Sequence, residues 1–159
     1  MNNTHRHTPT ETRSDHRVAA ETWLAVVQTY NHCAAALTER AAKQGLTLLQ
    51  HEILINLSRA PLSTQQELAN RCFSARSGIS MLIAAFEKEG VLTRHRDAAD
   101  ARIRRLELTE KGRAMAEQAE ADQSEIVSVM TADFTQDDLN KLKQQMHQVS
   151  AALIALPTR

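Results

Sequence analysis

Six apolar residues near the end of the chain follow a strict heptad pattern. They are spaced by 3, 4, 3, 4 and 3 residues, at Leu139, Leu142, Met146, Val149, Leu153 and Leu156. This periodicity places all six on one face of an α-helix, where they can pack against other helices. A similar stripe near the start of the chain comprises Ala19, Trp23, Val26, Tyr30, Cys33 and Leu37. We therefore expect long helices at both ends of the chain.

The composition also favours helices. Only four Gly and three Pro occur in 159 residues, so few positions interrupt regular structure. Aromatic residues make up 3% of the chain and hydrophobic residues 42%, which is typical of aliphatic cores between packed helices. The length fits one structural domain. We expect about two-thirds of the residues to be helical.

Helix-capping signals divide the middle of the chain into short helices. Thr47 precedes Gln50 by three residues, and Thr64 precedes Glu67 by the same interval, which is the capping-box pattern. A further amphipathic segment runs from about Ala75 to Glu89 and ends at Gly90. Two short helices joined by a tight turn, near residues 64–72 and 75–89, form a candidate helix-turn-helix.

Charge is segregated although the chain is neutral overall, with 19 basic and 19 acidic residues. Residues 59–113 carry a net charge of +4, and the remainder carries −4. Residues 94–105 alone contain five arginines and two aspartates. Residues 91–96 and 103–108 are predicted to be strands that flank a loop at 97–102. Thr109 should then begin a long helix to about Thr131. A basic hairpin in a neutral chain indicates a polyanionic partner.

A helix-turn-helix followed directly by a basic hairpin resembles the winged-helix lobe of MarR-family transcriptional regulators. The resemblance covers residues 17–156. Its most specific parts are LTLLQHEIL at 46–54, EKEGVLTRHRD at 87–97, and the spacing of Asp97, Asp100 and Arg102 ahead of LELTEKG at 106–112. Where the family often has a proline and a second arginine in the wing, this chain has Ala98 and Ala101.

The resemblance implies a mainly α fold with a small β-hairpin wing and dimerisation helices at both ends. We predict a flexible polar tail at 1–16 and an N-terminal dimerisation helix at 17–45. A winged helix-turn-helix lobe should occupy 46–108, and C-terminal dimerisation helices 109–156. The implied partners are a second copy of the chain and the double-stranded DNA of a pseudo-palindromic operator. The expected activity is that of a cytoplasmic DNA-binding regulator that acts as a repressor, as many family members do.

By the same resemblance, the helix over 75–89 should enter the major groove, with five candidate contacts at its N-terminal end: Arg76, Ser77, Gly78, Ser80 and Met81. Gly78 and Met81 depart from the polar residues that the family usually carries there. We expect Arg102 to enter the minor groove, oriented by a charge-assisted hydrogen bond that its guanidinium donates to Asp100. The remaining wing arginines are expected to contact phosphates: Arg94, Arg96, Arg104 and Arg105.

Regulators of this family commonly respond to small aromatic acids or to oxidants. An effector cleft formed by the first, second and fifth helices would place Trp23, Tyr30 and His51 beside a small aromatic or phenolic acid. The alternative for all three is a place in the dimer core. Cys33 is a candidate redox sensor, with a buried core cysteine as the alternative. The seven histidines show no zinc-ligand spacing, and we expect neither a metal nor a cofactor.

Two other classes of protein are alternatives to a DNA-binding regulator. A helical protein-interaction module without specific DNA binding would have the same long helices but no use for the wing arginines. An enzyme would need a nucleophile with its base, paired carboxylates or a phosphate loop, and no such motif occurs at usable spacing. The N-terminal residues lack the apolar segment of a signal peptide.

Overall fold

The computed structural model describes the backbone of residues 9–100 and 102–157, and the side chains from residue 16 onward within those ranges. Its elements are α1 (Pro9–Lys43), α2 (Leu48–Arg59), β1 (Ser63–Thr64), α3 (Gln65–Arg71), α4 (Arg76–Lys88), β2 (Leu92–Arg96), β3 (Arg104–Leu108), α5 (Glu110–Thr131) and α6 (Gln136–Ile154). The predicted fold class, mainly helical with a small β wing, is confirmed. The chain divides into two compact units between Asp122 and Gln123.

Helix α1 begins eight residues earlier than the predicted start at Arg17. Residues 9–16 therefore belong to the helix and not to the predicted tail, while residues 1–8 lie outside the described residues. Proline is favoured in the first turn of a helix, which agrees with a helix start at Pro9. The prediction was wrong here because these residues are polar and carry no apolar periodicity.

The predicted capping boxes are present. In α2 the Gln50 amide donates to the Thr47 hydroxyl (3.3 Å), and the Thr47 amide donates to the Gln50 side chain (2.9 Å). In α3 the Glu67 amide donates to the Thr64 hydroxyl (3.2 Å), and the Thr64 amide to the Glu67 carboxylate (2.7 Å). These paired bonds satisfy backbone groups that have no partner inside the helix, and so fix where each helix begins.

The wing is a three-stranded antiparallel sheet in the order β1-β3-β2. Leu92 pairs with Leu108 in the predicted hairpin, while Thr64 of β1 pairs with Arg105 of β3. The prediction of a simple hairpin was incomplete, because a strand of only two residues shows no alternation of apolar and polar residues by which it could be predicted. The additional pairing attaches the wing to the residue that caps α3.

The core of the first unit lies between the helix-turn-helix and the sheet. Its largest fully buried aliphatic and aromatic side chains come from α2, α3, α4, β2 and β3: Ile53, Leu54, Leu57, Leu68, Ile79, Ile83, Phe86, Leu92 and Leu106. Burial of such side chains is the main stabilising contribution to a small domain. The same packing fixes the wing relative to α4.

Gly112 allows the start of α5 to pack closely against the segment before β2. A Cβ atom at this position would overlap the Val91 carbonyl oxygen. The Thr109 hydroxyl donates to the carbonyl groups of Gly90 (2.7 Å) and Val91 (3.1 Å). The sequence LTEKG therefore encodes a close approach between two backbone segments, which only glycine permits.

The apolar stripes of α1 and α6 are exposed in the single chain. In α6 no residue is buried, and Leu153 is 62% exposed. In α1 the exposed fractions of Trp23 and Tyr30 are 66% and 71%. Exposed apolar faces of this length are typical of surfaces that a partner covers.

Candidate nucleic-acid interface

Helices α3 and α4 form the predicted helix-turn-helix, and the turn between them is strained. Phe73 adopts a positive φ of 46° and is 99% exposed. The Gln65 side chain at the start of α3 donates to the Arg76 carbonyl at the start of α4 (3.4 Å). This bond links the first residues of the two helices and places the N-terminal end of α4 beside that of α3.

The N-terminal end of α4 presents polar groups to solvent. Arg76, Ser77, Ser80 and Met81 are exposed, whereas Gly78 is half-buried against the turn. The N-cap residue Ala75 makes no side-chain hydrogen bond to the helix. Amide groups of the first turn therefore have no cap and remain able to donate to an anion.

A groove of about 350 Å³ lies between these helix ends and the wing, and is called the arginine groove here. Its lining residues come from α3, α4 and the wing: Thr64, Gln65, Gln66, Arg76, Arg94, Arg102, Ile103 and Arg104. Four of them are arginines, and none of these eight is acidic. A groove lined by guanidinium groups without carboxylates is complementary to a phosphate backbone.

The predicted side-chain pair of Asp100 and Arg102 is not formed. The Asp100 carboxylate instead accepts a hydrogen bond from the Arg102 backbone amide (2.9 Å). This bond belongs to the loop turn, because a short aspartate side chain readily caps an amide two residues on. The Arg102 guanidinium is exposed and has no hydrogen bond or ion pair with any described residue. Ala101, beside it, lies outside the described residues.

The aspartate–arginine pair of the wing is Asp97 with Arg105. The Arg105 Nε atom lies 2.6 Å from a carboxylate oxygen of Asp97, and both side chains are largely buried. The second oxygen of Asp97 accepts from the amides of Ala99 (2.9 Å) and Asp100 (3.1 Å). These hydrogen bonds lower the pKa of Asp97 below its ordinary value. The bond from the Arg105 guanidinium has the largest effect, and the bonds from the two amides come next.

The other wing arginines differ in their surroundings. Arg94 forms an ion pair with Glu87 of α4 (3.0 Å). Arg96 and Arg104 are exposed, and their guanidinium groups have no ion pair within the described ranges 16–100 and 102–157. The five arginines thus divide into two with internal partners and three that point to solvent. These two groups could not be separated from the sequence, because the register of a short strand decides which face each residue occupies.

The predicted effector residues differ in exposure in the single chain. Trp23 and Tyr30 are exposed, whereas the His51 ring is 1% exposed and neither ring nitrogen has a hydrogen-bond partner among the described residues. Burial lowers the pKa of His51, while the Asp122 carboxylate and the Ala119 backbone act in the opposite direction. His51 is therefore a buried polar group whose ring nitrogens have no partner at hydrogen-bond distance, and the Ala119 backbone and the Asp122 carboxylate only partly offset the effect of burial.

The two cysteines occupy different environments. Cys72 is buried, and this burial raises the pKa of its thiol to about 11. Cys33 is half-buried on α1. Within the described residues, no group of three or more His, Cys, Asp or Glu side chains is arranged to hold a metal ion. In the same residues no helix combines the length and apolar character needed to span a bilayer.

A family model provides the deciding comparison. The model of the MarR family matches residues 44–103, which contain α2, the helix-turn-helix and the wing up to β3. The lobe that these residues form belongs to the MarR family. The matched residues include all of the arginine groove except Arg104, which lies in β3 just beyond the match. The chain is accordingly a DNA-binding transcriptional regulator and not an enzyme.

Individual relatives agree with this assignment. An HTH-type transcriptional regulator from Bacillus cereus is 29% identical over 132 residues, which cover 83% of this chain and 85% of the relative. A MarR-family regulator from Silicibacter pomeroyi has a similar structure, with a TM-score of 0.74, 17% identity and coverage of 84% and 90% of the two chains. CouR from Rhodococcus jostii, solved with p-coumaroyl-CoA, gives a TM-score of 0.73 at 19% identity, covering 89% and 96%.

Proposed function

We propose that the chain acts as a homodimeric repressor that binds a pseudo-palindromic operator with two copies of its winged helix-turn-helix. The observation that carries this proposal is the arginine groove. It combines Arg76 of α4 with wing arginines around a cavity that has no acidic lining residue. Two such grooves, related by a twofold axis, fit two half-sites on one duplex.

The proposed contacts follow from exposure. The N-terminal end of α4 would enter the major groove, where Arg76, Ser77 and Ser80 can donate hydrogen bonds to base edges or phosphates. Met81, which is 74% exposed, suits an apolar contact with a thymine methyl group. The half-buried Gly78 would allow close approach of the α4 backbone to the DNA.

The wing is proposed to bind the adjacent minor groove. Arg102, whose guanidinium has no partner among the described residues, is the proposed minor-groove residue, because narrow grooves concentrate negative potential. The exposed Arg96 and Arg104 are proposed phosphate contacts. Arg94 lines the arginine groove of the protein while it is paired with Glu87. It would therefore reach a phosphate only by sharing or leaving that ion pair.

The second copy would cover the exposed stripes of α1 and α6. Both stripes have heptad spacing, and their large apolar residues remain solvent-exposed in the single chain. Isologous pairing of identical apolar stripes is the commonest way in which a homodimer forms. A dimer also provides the fixed spacing between two half-sites that a pseudo-palindromic operator requires.

We propose that a small aromatic or phenolic acid lowers the affinity for the operator. CouR, a protein of the same fold, was solved with an aromatic acyl-CoA. In this chain the unpartnered nitrogens of His51 are groups that could bind an acid, and Trp23 and Tyr30 would enclose it only if the partner subunit covers them. Binding would shift the population of dimers away from the spacing that spans both half-sites.

Oxidation of Cys33 is a second proposed signal. Its side chain is half-buried, in contrast to the buried Cys72. A peroxide titration with DNA binding as the readout, repeated on Cys33→Ser, tests this idea. Loss of the response in the variant is expected, and identical responses in both proteins would contradict it.

In vitro selection from a randomised duplex library tests the proposed function. We expect enrichment of a pseudo-palindrome, and we expect Arg102→Ala to bind the enriched duplex markedly more weakly while remaining dimeric. Lys143→Ala, which removes an exposed positive charge on α6, is the matched control and should bind as the wild type does. Enrichment of no common sequence would contradict sequence-specific binding and favour a helical protein-interaction module.

A further inference from the structure

Arg105 differs from the other wing arginines because it has three partners within the protein. Its Nε atom lies 2.6 Å from Asp97 in the wing loop, and its Nη1 group donates to the Leu62 carbonyl (3.3 Å). The same Nη1 group lies 3.7 Å from the Glu67 carboxylate of α3. Its side chain is 29% exposed. We call these four residues, Leu62, Glu67, Asp97 and Arg105, the wing brace.

The wing brace joins two parts of the DNA-binding lobe. Asp97 organises the wing loop, because one carboxylate oxygen accepts two loop amides and the other binds Arg105. Glu67 caps the first turn of α3, and Leu62 precedes β1 with a positive φ of 60°. The guanidinium plane thus connects the loop that carries Arg102 to the start of the helix-turn-helix, with the fixed geometry that arginine provides.

We propose that Arg105 is a positioning residue for DNA binding, not a phosphate contact. It fixes the wing loop against α3, and so sets where Arg102 lies relative to the N-terminal end of α4. This inference rests on the proposed DNA-binding function and replaces the sequence-based role of Arg105. Arg104, the adjacent residue on the opposite face of β3, keeps the role of a phosphate contact.

Lysine substitutions separate the two roles. A lysine keeps the charge needed for a phosphate contact but cannot reach several partners at once, because its ammonium is a single point of charge. Arg104→Lys should therefore bind the duplex enriched by selection nearly as the wild type does. Arg105→Lys should bind it roughly tenfold more weakly, since loosening a supporting contact is sufficient to misplace a binding group.

The salt dependence provides a second readout. Removal of a phosphate contact lowers the slope of log affinity against log salt by about 0.9 per contact. Arg104→Ala is expected to lower this slope, whereas Arg105→Ala should weaken binding and leave the slope unchanged. Equal losses of slope in both variants, with full affinity in Arg105→Lys, would overturn the proposal.

Substitutions of two aspartates in the wing loop are expected to change the affinity for DNA in opposite directions. Removing a negative charge from a DNA-facing surface should by itself strengthen binding. Asp100→Asn keeps the acceptor for the Arg102 amide and should bind as well as the wild type or better. Asp97→Asn keeps the loop hydrogen bonds but loses the charged partner of Arg105, so we expect weaker binding. Stronger binding of Asp97→Asn would overturn the brace.

A measurement without DNA distinguishes failure of the brace from failure of the proposed function. Hydrogen–deuterium exchange of residues 97–103 in the full chain should be faster in Arg105→Lys and Asp97→Asn than in Arg104→Lys or Asp100→Asn. Unchanged exchange in all four variants would contradict the brace directly. Faster exchange, with no enriched duplex from selection, would support the brace and refute specific DNA binding.

Discussion

Gly112 shows how one residue can determine the junction between the wing and α5. The helix begins where the Val91 carbonyl lies in the space that a side chain would occupy. The Gly112 amide also donates to the Thr109 hydroxyl (3.1 Å), which closes the first turn. Neither side of this contact can move without displacing the buried residues beside it, Leu92 and Leu108.

Gly112→Ala is expected to lower the free energy of unfolding by about 2–3 kcal/mol, because overpacking against a backbone group forces the helix start to shift. Urea denaturation followed by circular dichroism measures the change. Gly78→Ala is the matched control, since its Cβ would meet only the Ser74 hydroxyl at 3.7 Å, an ordinary contact. Alanine at that helical position should stabilise by about 0.5–1 kcal/mol. Equal midpoints for Gly112→Ala and the wild type would contradict the close approach.

His51 is the residue at which burial and ionisation conflict. The ring is almost fully buried, and both nitrogens lack partners among the described residues. Burial therefore lowers the pKa of His51 from its ordinary value of 6.5. The folded chain keeps this ring neutral at a pH at which the unfolded chain already binds a proton.

Stability should therefore fall as the pH decreases through 6.5. In that range the unfolded state takes up a proton at His51 that the native state does not bind, with a slope of at most about 1.4 kcal/mol per pH unit. Urea denaturation at pH 7.5, 6.5 and 6.0 measures it. His51→Phe should lose most of the slope, and His147→Gln, on the exposed face of α6, should retain it. A slope that survives in His51→Phe would assign the effect to another group.

At the scale of elements, α4 differs from three other helices in how it begins. Helices α2, α3 and α6 each begin with a capping box, but α4 begins at Ala75 with no side-chain cap. The turn before it contains Phe73 at positive φ, a conformation that is costly for a bulky residue. The helix proposed to enter the major groove therefore has less local stabilisation at its start than α2, α3 and α6.

Ala75→Ser should stabilise the chain by about 1 kcal/mol, because serine can accept a hydrogen bond from the amides of the first turn. Thermal unfolding measures the gain. Ala75→Val has no such acceptor and is expected to give no increase. If serine and valine gave the same melting temperature, the first turn of α4 would already be satisfied by other groups.

The strands show which elements can be predicted and which cannot. Helices α2, α3, α4 and α6 follow from capping residues and Gly stops, which act within a few residues of sequence. Strand β1 has two residues and exists only because β3 lies beside it. Two of the predictions depended on the conformation of the wing loop, which long-range strand pairing decides. They are the assignment of Arg105 as a phosphate contact and the side-chain pair of Asp100 with Arg102.

At the scale of the whole molecule, the exposed stripes of α1 and α6 have no function in a single chain. Exposed apolar residues on α6 include Leu153 at 62% and Ile154 at 82%. A helix with no buried residue has little to stabilise it apart from capping, since tertiary packing usually provides most helical stability. The proposed homodimer would supply that packing.

Leu153→Glu is expected to convert the proposed dimer into a monomer, because the charge would be buried without a partner. Sedimentation velocity measures the change, and the melting temperature of the wild type should rise with protein concentration. Ala151→Glu adds the same charge on the opposite face of α6 and should leave the dimer intact. A wild-type chain that sediments as a monomer at micromolar concentration would contradict the dimer.

The sequence by itself determined the helices, their caps, the helix-turn-helix and the basic character of the wing. These features are local, since periodicity, capping residues and charge runs act over a few turns of chain. The tertiary structure alone decided that Arg105 pairs with Asp97 and that Arg102 is left without an internal partner. It also decided that His51 is buried and that Gly112 meets Val91. Each of these outcomes depends on contacts between segments distant in sequence, or on the register of short strands, for which no local pattern exists.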